Sequence, residues 1–195
     1  MQYGGSMGSL VETKQAVSLA DALEEYGFSV NPDMVSFYED MEKNYAPTKA
    51  AGGNCVDINK GSTVNEVPVK EYFAVSPDSM EGYKDAAVVV LGRDAGEGAC
   101  FYPGEDGIAD PNEFSNSPTG NILSLSNAER ALINYVENQG FKKVIVLLNS
   151  ACAMEIEELK QDDAVDSILW IGNPGCYGTY GIAQLLKGDV LPSGH

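Results

Sequence analysis

Basic residues are scarce in this sequence. The 12 Lys and Arg residues stand against 29 Asp and Glu residues, which gives a formal charge of −17 at neutral pH. Binding to nucleic acid requires a basic face that neutralises phosphates, so nucleic acid is excluded as a partner. An anionic membrane surface is disfavoured for the same electrostatic reason. The acidic excess is typical of a solvated, acidic protein surface.

Residues that bind metals or form cross-links are also few. The single histidine, His195, stands at the end of the chain, and the four cysteines are far apart, with no Cys-x-x-Cys pair. We therefore predict no metal site. Four cysteines are too few for a disulfide-based scaffold, and isolated thiols, buried or half-buried, are expected instead.

Long apolar runs are absent too. No stretch of 18 apolar residues occurs, so a membrane-spanning helix is not predicted. The first five residues, Met1–Gly5, do not form a signal or transit peptide. Hydrophobic residues make up 44% and charged residues 21% of the 195 residues. This balance is typical of a globular protein, and we expect one domain over residues 1–195 with its own core.

Strand and helix patterns alternate in the second half of the chain. Three continuous apolar runs predict buried parallel strands at 86–91, 143–148 and 165–171. Capping residues and closing glycines predict helices at 19–26, 33–44, 127–139, 155–160 and 177–187. Such alternation is typical of an α/β domain with a mostly parallel sheet. Ligands of these domains lie beyond the carboxyl ends of the strands.

A long segment rich in Gly, Pro and Asn, residues 92–124, follows the first of these strands. Loops of this length in compact domains are usually functional or disordered. Near its start Glu97 stands between Gly96 and Gly98, which permit close approach of a ligand. A carboxyl group held there can act as a general acid if partial burial raises its pKa. The alternative is an ordinary solvated loop side chain.

Residues 83–98, YKDAAVVVLGRDAGEG, resemble the C-terminal α/β sandwich domain of glycoside hydrolase family 3, which includes β-glucosidases and β-xylosidases. Further segments agree with that family in order and spacing: 4–9, 123–129, 143–150, 165–183 and 188–194. The resemblance implies a three-layer α/β sandwich with a mostly parallel, flavodoxin-like sheet and no cofactor. The family has a strand before its Gly-rich loop, and we expect that strand to be missing here.

The resemblance also implies a role for Glu97. In this family the nucleophile is an Asp on a preceding barrel, and the acid/base of many members is the Glu of a Gly-Glu-Gly segment. An eight-stranded barrel needs about 250 residues, more than this chain has. We therefore expect the chain to be part of a larger retaining β-glycosidase, with the barrel as its partner, a β-glycoside as its substrate and no activity on its own.

Three further residues are predicted to bind substrate: Arg93 and Asp94, which lie close to Glu97 in the sequence, and Tyr102, whose ring fits stacking on a sugar as well as packing. The sequence departs from the family pattern at 99–101, where members often carry Asp-Arg or Asp-Leu.

Other carboxyl groups of the same segment are rivals for the acid/base role. They are Glu105, Asp106 and Glu113, each of which is also interpreted as an ordinary solubilising loop residue.

Aromatic residues leave a second function open. Trp170 lies inside a predicted strand and is expected in the core rather than as a platform for sugars. Tyr177 and Tyr180 fit packing and sugar stacking equally well. The alternative function is a non-catalytic carbohydrate-binding or interaction module of the same fold. Nucleotide binding by the turn at 4–9 is less favoured, because the turn has no preceding strand and lacks the Gly-Lys-Ser/Thr ending of a phosphate loop. A flavodoxin-like cofactor binder is a third alternative.

Overall fold

A computed structural model of the protein describes residues 15–45, 66–93, 123–151 and 153–194. The helices are α1 (Leu19–Glu25), α2 (Pro32–Tyr45), α3 (Val69–Tyr72), α4 (Pro77–Met80), α5 (Asn127–Glu137), α6 (Glu157–Lys160) and α7 (Gly178–Lys187). The strands are β1 (Ala87–Arg93), β2 (Val144–Ser150) and β3 (Ser167–Trp170). The predicted strands and helices are therefore present, with ends shifted by a few residues. The long segment at 92–124 lies almost wholly outside the described residues.

The described strands form one parallel sheet in the order β1-β2-β3. Ala87 pairs with Val144 at one end of the β1–β2 ladder, and Arg93 pairs with Ser150 at the other. Trp170, the last residue of β3, pairs with Leu148 of β2. Because all strands run the same way, their carboxyl ends meet at one edge of the sheet. The predicted α/β fold with a parallel sheet is confirmed.

One hydrophobic core joins the sheet to the helices. It contains buried side chains of β1 and β2, namely Val89, Leu91, Val144, Val146 and Leu148. Helix α5 contributes Leu132, Ile133 and Val136, and the other helices add Phe37, Tyr72, Met80 and Leu159. Complete burial of each such side chain stabilises the fold by roughly 1.5–3 kcal/mol. The core therefore fixes α5 against β1 and β2, next to the edge where these strands end.

Helix ends follow the capping signals of the sequence. The Ser126 hydroxyl accepts a hydrogen bond from the Glu129 N–H at 3.1 Å, and the Glu129 carboxylate accepts one from the Ser126 N–H at 2.7 Å. This reciprocal capping box starts α5, as predicted. Gly188, with φ of +84°, ends α7 in the left-handed region that glycine adopts at little cost. Within the described ranges, no helix combines the length and the apolar character needed to cross a bilayer.

The first and last described helices pack against each other. Ala22 and Leu23 of α1 share a small buried cluster with Ala183 of α7. The Val17 N–H donates to the Cys176 carbonyl at 2.9 Å, beside this contact. Cys176 is a free, half-buried thiol, which confirms the expectation for this cysteine; the other three lie outside the described residues.

Candidate functional site

Polar side chains gather where the parallel strands end. The register places Gly92 beside Asn149 and Arg93 beside Ser150. Arg93, Asn149 and Ser150 are fully buried. The Asn149 amide donates to the Gly172 carbonyl at 2.6 Å, which ties the end of β2 to the turn after β3. This edge, where ligands of parallel α/β sheets bind, is therefore built from polar groups that the fold holds in place.

Most of the predicted site residues cannot be located at this edge. Glu97, Asp94 and Tyr102 lie outside the described residues, as do the rivals at 105, 106 and 113. Their roles remain predictions. The structure does describe both flanks of the segment that carries them, Arg93 on one side and Leu123 on the other.

Arg93, predicted as a substrate contact, forms a buried ion pair. Its Nη2 lies 2.7 Å from Oε2 of Glu129 and also donates to the Ser124 carbonyl at 2.7 Å. The Arg93 and Glu129 side chains are 0% and 1% exposed. Burying two charges is costly, and here the pairing and charge-assisted hydrogen bonds offset that cost. Substrate contact by Arg93 remains a prediction, since its described partners are protein groups.

Trp170 contradicts the sequence-based expectation that it belongs to the core. The residue is 71% exposed, and its indole Nε1 donates to the Ser150 carbonyl at 2.6 Å. Within the described sheet, β3 has only one neighbouring strand, and Trp170 is its last residue. The apolar run of β3 therefore does not bury its final side chain. Tyr177 is also exposed, whereas the Tyr180 hydroxyl donates to Glu25 at 3.0 Å.

Sequence reasoning missed a second cluster, which joins Glu66 to two tyrosines. The Tyr72 hydroxyl donates to the Glu66 carboxyl at 3.1 Å and shares a 2.6 Å hydrogen bond with the Tyr38 hydroxyl. Burial raises the pKa of Glu66 to about 7, although hydrogen bonds from the Val67 N–H and Tyr72 oppose the shift. The charge of Glu129 raises it further. No sequence signal marked Glu66, because it ends a polar stretch that is typical of a solvated loop.

The raised pKa of Glu66 makes stability depend on pH. The ordinary pKa of a glutamate carboxyl in an unfolded chain is 4.5, so between about pH 4.5 and 7 the folded chain holds a proton that the unfolded chain has lost. Stability is therefore expected to fall as pH rises through this window and to level off above it. Glu66→Gln should flatten that slope, which urea unfolding at about pH 5 and about pH 8 measures.

Glu137 is a second source of this pH dependence. Its burial also raises its pKa to about 7, with a further contribution from Asp162. Part of the slope should persist in the Glu66→Gln variant for this reason. A variant with the full wild-type slope would contradict the assignment of that slope to Glu66.

No group of three or more His, Cys, Asp or Glu side chains in the described part of the chain has an arrangement that could hold a metal ion.

The model of the glycosyl hydrolase family 3 C-terminal domain matches residues 1–195. The chain belongs to this family. A β-glucosidase of Ruminococcus albus is 24% identical over 195 residues, which are 98% of this chain and 18% of the relative. A β-xylosidase/α-L-arabinofuranosidase 1 of Medicago sativa subsp. varia is 38% identical over 74 residues, which are 38% of this chain and 9% of the relative.

Solved structures agree with this assignment. The β-glucosidase 3B from Thermotoga neapolitana, in complex with glucose, matches 99% of this chain and 24% of its own, at a TM-score of 0.66 and 27% identity. A β-glucosidase from Paenibacillus barengoltzii matches 99% of this chain and 19% of its own, at a TM-score of 0.68, and at 21% identity shows the shared fold. The family predicted from the sequence is confirmed. The chain spans about a quarter or less of the length of these relatives.

Proposed function

We propose that this domain supplies the general acid/base, Glu97, and part of the substrate cleft of a retaining β-glycosidase of the β-glucosidase type. The nucleophile comes from a barrel domain of the larger protein of which this chain is a part. The observation that carries this proposal is the family match over residues 1–195, which includes the Gly96-Glu97-Gly98 segment directly after β1.

The reaction proceeds by two displacements at the anomeric carbon. In the first, an Asp carboxylate of the barrel forms a bond to that carbon, the bond to the leaving oxygen breaks, and Glu97 gives its proton to that oxygen. In the second, water attacks the same carbon, its proton passes to Glu97, and the Asp carboxylate departs. Two inversions give net retention and require carboxyl groups roughly 5 Å apart.

Product stereochemistry and the isolated chain test this proposal. The complete enzyme acting on nitrophenyl β-D-glucoside is expected to release the β-anomer of glucose first, as followed by proton NMR before mutarotation. The isolated 195-residue chain should show no turnover, because it supplies one of the two carboxyl groups. Pure β-glucose in the same buffer calibrates mutarotation. Early appearance of the α-anomer would contradict retention, and robust turnover by the isolated chain would contradict the division of the pair.

One observation favours the second candidate, a non-catalytic carbohydrate-binding module. Trp170 presents an exposed indole at the carboxyl edge of the sheet, and its hydrogen bond to Ser150 holds the ring in place. A fixed, flat aromatic ring suits stacking against a sugar ring. The two candidates differ in Glu97, which takes part in proton transfer only in the catalytic proposal.

A further inference from the structure

The flanks of the segment that carries Glu97 are joined by one guanidinium group. Arg93 precedes the segment at the end of β1, and Ser124 follows it just before α5. The Arg93 Nη2 donates to the Ser124 carbonyl at 2.7 Å, across 31 positions of sequence. On the outgoing side, the Glu155 N–H donates to the Leu123 carbonyl at 2.7 Å. The distance between the two flanks is therefore fixed by direct contacts.

Glu129 anchors this contact to a helix. Its Oε2 accepts hydrogen bonds from the Arg93 Nη2 and from the Ser126 N–H, each at 2.7 Å. The carboxylate lies in the first turn of α5, where the helix dipole favours negative charge. Arg93, Ser124, Ser126 and Glu129 are each at most 2% exposed. The cluster is thus shielded from water and tied to both β1 and α5.

An apolar pair could fill this space without the cost of desolvating two charges. The guanidinium, however, satisfies the Ser124 carbonyl and the Glu129 carboxylate together through one planar group. Both contacts are made by Nη2, so this one nitrogen links three chain segments, which an aliphatic side chain cannot do.

We infer that Arg93 and Glu129 are positioning residues for catalysis. They hold both flanks of the 94–122 segment and thereby set the position of Glu97, which follows closely after Arg93 in the sequence. This inference rests on the proposed role of Glu97. It assigns Arg93 to the placement of the general acid rather than to direct contact with the sugar.

The test uses the complete enzyme that contains this domain, with the double substitution Arg93→Met and Glu129→Gln. The double substitution removes both charges of the described pair together, and glutamine retains an oxygen for the Ser126 N–H. The measured quantity is kcat/KM for aryl β-glucosides that differ in leaving group. Phenol needs a proton as it departs, whereas 2,4-dinitrophenol does not, so a misplaced acid affects only the first.

We expect kcat/KM for phenyl β-glucoside to fall about 10²-fold, as small displacements of reacting groups do. The value for the 2,4-dinitrophenyl glucoside should change little. A uniform loss for both substrates, or no loss, would overturn the inference, because a purely structural role affects every substrate alike. If the double variant does not fold, Arg93→Lys, which keeps the charge but not the planar fork, undergoes the same test and should show the same selectivity in smaller measure.

A matched control lies one residue along α5. Arg130 of α5 and Glu158 form an ion pair with Nε–Oε2 and Nη2–Oε1 distances of 2.7 and 2.6 Å. The double substitution Arg130→Met and Glu158→Gln should change kcat/KM for the phenyl and the 2,4-dinitrophenyl glucosides by the same factor. Glu97→Gln, measured in the same series, separates the two ideas. If Glu97→Gln does not lower kcat/KM selectively for the phenyl glucoside, the proposed function fails. If Glu97→Gln shows this selective loss and the Arg93 and Glu129 variants do not, this inference alone fails.

Discussion

Glu97→Gln in the complete enzyme is expected to lower kcat/KM for phenyl β-glucoside by about 10²–10⁴-fold, the usual contribution of general acid catalysis. Glutamine has nearly the same shape as glutamate but has no acidic proton to give to the departing phenol. Steady-state kinetics measure the loss, and thermal melting verifies that the variant is folded. If Glu97 only binds sugar or faces solvent, turnover should hardly change, which is the result expected of a non-catalytic module.

Azide identifies the chemical origin of that loss. With a 2,4-dinitrophenyl substrate, the sugar is transferred to the barrel nucleophile without help from an acid, and the second step then lacks its base. Azide is already an anion and attacks without a base, so it should restore part of the turnover and yield a β-glycosyl azide. The matched controls are Glu105→Gln, Asp106→Asn and Glu113→Gln. A large loss with azide rescue in one of these, and not at Glu97, would move the acid/base role to that residue.

The fold was predictable because its signals are local. The aliphatic runs at 86–91 and 143–148 became β1 and β2, and Ser126 with Glu129 formed the predicted capping box. Each of these signals depends on a few neighbouring residues. The prediction for Trp170 was wrong because burial of a strand residue depends on what packs against it. A run such as that of β3 does not reveal that the fold leaves its final side chain exposed.

The candidate site was less predictable for the same reason. Arg93 was marked by its closeness to Glu97 in the sequence, and Glu129 by its capping position, but the two are 36 residues apart. Their pairing depends on how α5 packs against the sheet. The link between Tyr38 and Tyr72, 34 residues apart, likewise depends on the packing of α2 beside α3. Periodicity predicts the helices themselves but not which polar groups face each other across them.

Glu129→Ala is expected to cost about 3–5 kcal/mol of unfolding free energy, the usual effect of breaking a buried ion pair. The substitution removes the carboxylate that pairs with the Arg93 guanidinium, and the Arg93 side chain is 0% exposed. It also removes the acceptor for the Ser126 N–H at the start of α5. Urea unfolding of the chain, followed by circular dichroism, measures the loss.

Glu158→Ala provides the comparison, since it breaks the ion pair with Arg130 of the same helix, whose two side chains are 16% and 26% exposed. Arg130 can reach water once its partner is removed, so a cost of about 1 kcal/mol is expected. The double substitution Arg93→Met and Glu129→Gln should lie much closer to wild type than Glu129→Ala, because it leaves no isolated charge. A loss for Glu129→Ala no larger than that for Glu158→Ala would contradict the role of burial. If the double variant is stable and loses kcat/KM for the phenyl glucoside but not for the 2,4-dinitrophenyl glucoside, the pair serves to position the catalytic segment rather than to stabilise the fold.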